Sequence, residues 1–281
     1  MPKPEVTLAN YEALHAQYEK HDQFMPFALF AHFVLGQVFR ADVTRDDGFD
    51  DAMEERRESG TRFVFTPNHI SETDPEVIVS TVQKVKSLHH MRGTTFIPSK
   101  ETLLAGKGMK GKAFRLILEH LGAEATFRLR DLERRGIEIT PEIQELYDAC
   151  IQSAHETDVK RLIAGKNEAG FPEGGRNRVD FTEVQKLKTG ITRTAIAAAE
   201  FVPVAFIPVG ISYGGEPEGG DYDHPKIPGI LHPHVHLALP QDVDSDDIQH
   251  LNARLHFDIQ RSVDETVARI PVPEDWQGSY L

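Results

Sequence analysis

The chain has one cysteine, Cys150, in 281 residues, so no internal disulfide framework can form and the sequence fits a reducing compartment. It is short of positive charge. There are 31 Lys and Arg against 44 Asp and Glu, and the net charge of −13 argues against a general nucleic-acid binder, whose surface must be cationic. It also lacks an apolar run of the roughly 20 residues that a membrane-spanning helix needs. The best candidate, residues 24–39 ("FMPFALFAHFVLGQVF"), is 16 residues long and is interrupted by Pro26, His32 and Gln37. It reads as a buried or interfacial helix, and its Phe and Leu content keeps peripheral membrane contact open. The first twenty residues contain no apolar core of the signal-peptide kind. These absences lead to the expectation of a cytoplasmic protein, with peripheral contact at the inner face of the membrane as an option. There are no repeats and no low-complexity block.

What is present is the composition of a soluble globular protein, 40% hydrophobic and 27% charged, and long enough for one large domain or two small ones. Apolar spacing predicts a polar helix over 8–22, the apolar helix over 24–39, a strand in "FRADVTR" and a short helix in "DGFDDAMEERRESG". "TRFVFTP" reads as a buried strand, and "DPEVIVSTVQKVKSL" as a helix opened by Asp74 as N-cap before Pro75. "TTFIPSK" and "AEATFRLR" read as strands on either side of a helix, "GKGMKGKAFRLILEHLG", closed by Gly122. A long helix follows over 141–164, then a loop on a short strand in "NEAGFPEGGRNR", a helix in "TGITRTAIAAAEF" and a strand region in "VPVAFIPVGISYG", where Pro208 marks a strand end or bulge. "GEPEGGDYDHPKIPG" reads as an exposed loop, "HPHVHLALP" as a late strand, 244–270 as an amphipathic helix with an acidic start, and the tail as irregular. The alternation of strands and helices predicts an α/β fold: a mixed, largely parallel sheet flanked by helices, with residues 1–40 as an N-terminal helical segment.

Chemistry gathers in three places. In "FVFTPNHISETDP" a buried strand runs into Asn68 and His69, and Asp74 follows five positions later. At that spacing the Asp can fold back from a helix start onto the imidazole, fix its tautomer and stabilise the imidazolium, as an acid does behind a general-base histidine. The plainer alternative is a loop histidine beside a helix cap. In "GFPEGGRNR", Gly174 and Gly175 permit close approach, the turn amides can cradle a phosphate, and Arg176 or Arg178 can add a bidentate contact. In "LGAEATFRLR", Arg128 and Arg130 would share one face of a strand and ask for an anion. Arg128 and Arg130 lie in a basic stretch. Residues 84–135 carry 12 Lys or Arg against 5 Asp or Glu, in an otherwise strongly acidic chain. Three histidines in "HPHVH", His232, His234 and His236, would share a strand face and could bind zinc, but no cysteine lies near and incidental histidines carry most of the weight.

Taken in order, these stretches resemble the glycerolipid acyltransferase family, the glycerol-3-phosphate and lysophosphatidate (1-acylglycerol-3-phosphate) acyltransferases. "NHISETDP" looks like its Asn-His-x4-Asp motif and "GAEATFR" like its second motif. "FPEGGRNR" is similar to Phe-x-Glu-Gly-x-Arg, "KTG" to Lys-x-Gly, and "FIPVGISY" to the fourth, proline-containing motif. The resemblance covers about residues 40–215, with the first and third motifs about 100 residues apart. It implies an acyltransferase domain over 41–281. It further implies transfer of a fatty acyl group from acyl-CoA or acyl-carrier protein to a glycerol phosphate or lysophospholipid hydroxyl, with no metal and no cofactor. His69 would be the base and Asp74 its orienting acid. Arg128, Glu173, Gly174, Gly175 and Arg176 would form the acceptor site, with Lys100 and Arg130 as further candidates. Glu173 cannot hold a phosphate and would fix an arginine or a glycerol hydroxyl. Two departures stand out: Ile70 where a polar residue is common, and Phe127 where an aspartate often precedes the arginine. The second leaves the choice between Arg128 and Arg130 open.

Overall fold

The computed structural model describes residues 5–105, 115–214 and 232–270. The elements are α1 (Tyr11–Lys20), α2 (Met25–Val38), β1 (Asp42–Arg45), α3 (Phe49–Glu58), β2 (Arg62–Pro67), α4 (Asp74–Lys84), β3 (Thr95–Lys100), α5 (Glu101–Leu104), β4 (Ala123–Thr126), α6 (Leu129–Arg134), α7 (Pro141–Ile163), β5 (Asn167–Ala169), α8 (Gly190–Ala199), β6 (Val204–Gly214), β7 (His232–Leu237), β8 (Gln241–Asp242) and α9 (Ile248–Val267). The strands form one sheet in the order β1-β7-β6-β2-β5-β3-β4, with β8 also on β6. β2 runs parallel to β6 and β5, and β3 parallel to β5 and β4, while β7 is antiparallel to β6. The architecture is the α/β one that the alternating pattern predicts, a mixed and largely parallel sheet between helices.

β2 and β6 are largely apolar because both their faces are covered. Phe63 and Phe65 of β2 join Ile207, Val209 and Ile211 of β6 in a core shared with α3 and α4. Val64 and Phe206 point the other way, into a core with α8 and α9. Each fully buried Phe or Leu in these layers contributes about 1.5–3 kcal/mol. Gly210 on β6 is a contact point: a Cβ there would stand 2.2 Å from the Ser262 backbone of α9, so glycine lets that helix lie flat on the strand. α9 is capped by Asp247, whose carboxylate accepts from the Gln249 and His250 amides. α2 packs on α4, and α1 packs on α7 and β4 through a third core containing Leu14, Tyr18, Ala125, Phe127 and Cys150. Among the described residues no helix is long and apolar enough to cross a membrane.

Several expected elements differ. "AEATFRLR" is not one strand: β4 ends at Thr126 and α6 begins at Leu129, so Arg128 is the N-cap and Arg130 lies in the helix's first turn, and the two do not share a strand face. The alternation of Phe127, Arg128, Leu129 and Arg130 imitates period 2, but Leu129 and Leu132 already sit at helical spacing. The helix opened by "DP" at 74–75 stops at Lys84, where Val85 turns extended and a 3-10 turn, Lys86–Met91, takes over. Pro208 marks neither an end nor a bulge, since β6 continues through it to Gly214 in register with Thr66. On the other side of β6, β8 pairs only as far as Phe206 and β7 begins at Val209, so the missing N–H of Pro208 faces a gap between ladders. The expected helix before Gly122 is seen over 115–120, and its beginning lies outside the described residues, as do the whole "GEPEGGDYDHPKIPG" stretch and the tail from 271.

Candidate active site

Because β2, β3, β4, β5 and β6 run the same way, their carboxyl ends share one edge of the sheet, where α/β folds place ligands. His69 follows β2, the "FPEGGR" loop follows β5, Lys100 ends β3, and Arg128 follows β4. The β2 end is fastened by Asn68. Its side-chain oxygen accepts from the Ile211 amide at 2.7 Å and its nitrogen donates to the Ile211 carbonyl at 3.0 Å, so a side chain extends the β2–β6 ladder past Pro67.

Asp74 is fully buried and organises the loop that follows. It is not the N-cap: Thr73 holds that place, with no side-chain cap bond, and Asp74 is the first residue of α4. Its carboxylate turns back instead. Oδ2 accepts from the amides of Ile70 at 2.7 Å and Ser71 at 2.8 Å and lies 2.9 Å from His69 Nδ1. Oδ1 accepts from the Tyr213 hydroxyl at 2.6 Å. The positive end of the α4 dipole also favours the negative charge. A carboxylate only accepts, so His69 Nδ1 carries the proton and Nε2 keeps its lone pair. The ring of Phe171 stacks on the imidazole, with centroids 4.0 Å apart at 24°.

The loop after β5 closes over this one. The Asn177 amide donates to the His69 carbonyl at 2.7 Å. Glu173 takes one amide on each oxygen, from His69 at 2.7 Å and from Gln185 at 2.9 Å. Burial pushes its carboxyl up to about 7 despite those two amides, with the nearby Asp74 charge adding to the rise. Glu173 thus grips the His69 backbone, and neither oxygen is bonded to an arginine. Gly174 takes a left-handed φ of 71°, and its amide donates to the Phe171 carbonyl inside the turn, so that amide is already engaged. Lys188, from the Lys-x-Gly string, donates its amide to the Pro172 carbonyl at 2.7 Å and passes beside Gly174.

The cationic side chains divide. Arg130 lies against Gly175, its Nη2 3.0 Å from where a Cβ would stand, so Gly175 makes room for that guanidinium. Arg176 pairs with Glu72, 3.2 Å away, on the loop between His69 and Asp74. Lys100 lies 3.7 Å from Asp131. Arg128 is half-buried, and burial, then the like charge of Arg130, lowers its proton affinity, while Asp131 and Glu101 oppose the drop. An apolar pocket lined by Pro67, Pro75, Ile78, Ile97, Ala169 and Phe171 opens beside the histidine. Among the described residues no cluster of His, Cys, Asp and Glu is arranged to hold a metal. His236 sits between Thr44 and Asp46, and His234 lies 3.5 Å from Asp42.

Sequence reading brought out His69 and Asp74 but passed over Tyr213, Phe171 and Glu72 as participants. Tyr213 sits 139 positions from Asp74, and only the β2–β6 pairing brings it near. Phe171 and Glu72 stand inside the motif strings and had a local signal.

No family model and no curated protein matches the chain. Among solved structures it is similar to the crystal structure of the 1-acyl-sn-glycerophosphate (LPA) acyltransferase PlsC from Thermotoga maritima, with a TM-score of 0.51 and 18% identity over 94% of this chain and 96% of that one. At that identity the likeness speaks for the fold, and over nearly its whole length the chain carries the α/β fold of that acyltransferase.

Proposed function

We propose that the chain is an O-acyltransferase of phospholipid synthesis, moving a fatty acyl group from an acyl thioester, acyl-CoA or acyl-carrier protein, to the hydroxyl of glycerol-3-phosphate or 1-acylglycerol-3-phosphate. The observation that carries this reading is the His69–Asp74 pair, 2.9 Å apart, held under the "FPEGGR" loop at the carboxyl edge of the parallel strands. Nε2 of His69 takes the acceptor's hydroxyl proton as the oxygen attacks the thioester carbonyl carbon. The C–S bond breaks, and the departing sulfur takes the proton from the imidazolium, which Asp74 stabilises until then. No acyl-enzyme and no cofactor are needed.

Arg176, with Arg130 beside Gly175, is the proposed phosphate anchor, and Arg128 and Lys100 add positive potential. Glu72 is half-exposed, and such a pair contributes only about 0–1 kcal/mol, so a dianionic phosphate with bidentate geometry displaces it from Arg176. The exposed Phe30 and Phe33 of α2 offer a lipid-facing surface.

The test is a donor-by-acceptor panel read by released thiol, with a parallel acyl-carrier-protein arm. His69→Ala is expected to lose on the order of 10²–10⁴ in turnover with its circular dichroism unchanged. Near-normal turnover by that folded variant would remove His69 as the base. Turnover only on unphosphorylated alcohols would move the acceptor, and ligand binding without product would make the chain a non-catalytic relative.

A further inference from the structure

Asp74 has two side-chain partners in the described structure, His69 on Oδ2 and Tyr213 on Oδ1. The second continues outward. Tyr213 has one hydroxyl hydrogen, and the carboxylate can only accept it, so the phenol oxygen is left to accept, from Thr73 Oγ1, 3.2 Å away, and from the Ser71 side chain. Thr73 Oγ1 lies 3.0 Å from Ser71 Oγ, which also accepts from the Thr73 amide. Ser71 and Thr73 therefore both feed the Tyr213 hydroxyl, which donates to the carboxylate behind His69. Tyr213 and Ser71 are buried, so water does not substitute for them.

We propose that Tyr213, fed by Thr73 and Ser71, is a positioning residue that sets the proton affinity of His69 through Asp74. The inference rests on the reading of His69 as the base. A donor on Oδ1 draws carboxylate charge away from Oδ2, and the Thr73 hydroxyl strengthens that donor by polarising it. Less charge then faces Nδ1, the imidazolium is less stabilised, and the base stays unprotonated at lower pH. The charged and titratable groups around the pair are Glu72 on the same loop, Glu76 on α4, and Glu173 and Arg176 on the loop after β5. Among the described residues, none of these four hydrogen-bonds to the Asp74 carboxylate, and Tyr213 does.

The experiment follows the His69 ring signals by NMR against pH in the wild type, Tyr213→Phe and Thr73→Val, assigned with His69→Gln. Tyr213→Phe is expected to raise the His69 midpoint, because charge is no longer drawn off the carboxylate oxygen that faces Nδ1. Thr73→Val should move it the same way by less. The acid limb of kcat/KM should follow, so that turnover lost at pH 6.5 returns at pH 8.5 with KM for the acceptor unchanged. A purely structural hydroxyl would lower Tm and leave the midpoint in place, and an unmoved or lowered midpoint in folded Tyr213→Phe overturns the inference. If that variant does not fold, the double variant Ser71→Ala, Thr73→Val, which removes both donors to the phenol, decides by the same sign. The midpoint is read without turnover, so a shift in a chain inactive on every acceptor supports the inference while the acyltransferase reading fails.

Discussion

At the scale of single residues, Glu173 holds two loops together with one side chain. Each oxygen accepts one amide, and the protonated carboxyl keeps a lone pair on each oxygen for those two bonds. In the folded chain burial keeps its proton on up to about 7, whereas the unfolded chain releases it near the ordinary 4.5. Between those values the folded state binds more protons, so stability is greatest at the low end of the window, falls as pH rises to about 7, and is flat above. The full effect is on the order of 3 kcal/mol. Glu173→Gln cannot titrate, so the wild type should lose more stability than that variant, in denaturant melts, as pH rises from 5 to 7, the difference between the two profiles isolating Glu173 from Asp158 and Glu168, which burial also raises. Parallel profiles would mean that Glu173 is ionised throughout. His69 and Asp74 were legible because their spacing lies within one loop. The partners of Glu173 were not, because backbone amides leave no mark in a sequence.

Among elements, α2 shows where periodicity stops being informative. It is apolar all round, the pattern of a helix either buried or facing lipid, so the sequence alone does not say which side is covered. Ala28, His32 and Gly36 are buried, and α2 lies on α4. Phe30 and Phe33 are 63% and 55% exposed, with Phe24, Met25, Leu29 and Val34 around them. Burial pushes the His32 imidazole down to about 4, so no charge from it opposes insertion near neutral pH. The double variant Phe30→Ser, Phe33→Ser should lose roughly tenfold or more in co-sedimentation with phospholipid vesicles, since each ring brings on the order of 1 kcal/mol or more of apolar burial. Its Tm should hold, because neither ring is packed inside. Unchanged vesicle binding would show that α2 does not face lipid. α6 was misread for a related reason, its six residues being too few for period 3.6 to stand out against two alternating arginines.

For the molecule as a whole, the order of strands and helices was legible because strand-like and helix-like runs alternate along the chain, with β2 and β6 as apolar runs, but the strand order was not. Nothing local says that β6 lies between β2 and β7, yet that pairing places Tyr213 behind Asp74 and lets Asn68 lock the site. The N-terminal segment likewise owes its place to distant partners: α1 shares its core with β4 and α7, and Cys150 sits in that core at 2% exposure. Burial pushes the Cys150 thiol up to about 12, so it is neither accessible nor ionised near neutral pH. The chain's one cysteine therefore reports on whether α1, β4 and α7 are packed together, and it leaves a thiol-release assay undisturbed. Ellman's reagent should find almost no thiol in the native protein over the time of an assay and one per chain in denaturant. With denaturant added stepwise, reactivity should appear together with the loss of circular dichroism if α1 unfolds with the sheet. Prompt reaction of one thiol in the native protein would mean that α1 is not seated on α7. Reactivity appearing well before the main transition would make the N-terminal segment a separate cooperative unit.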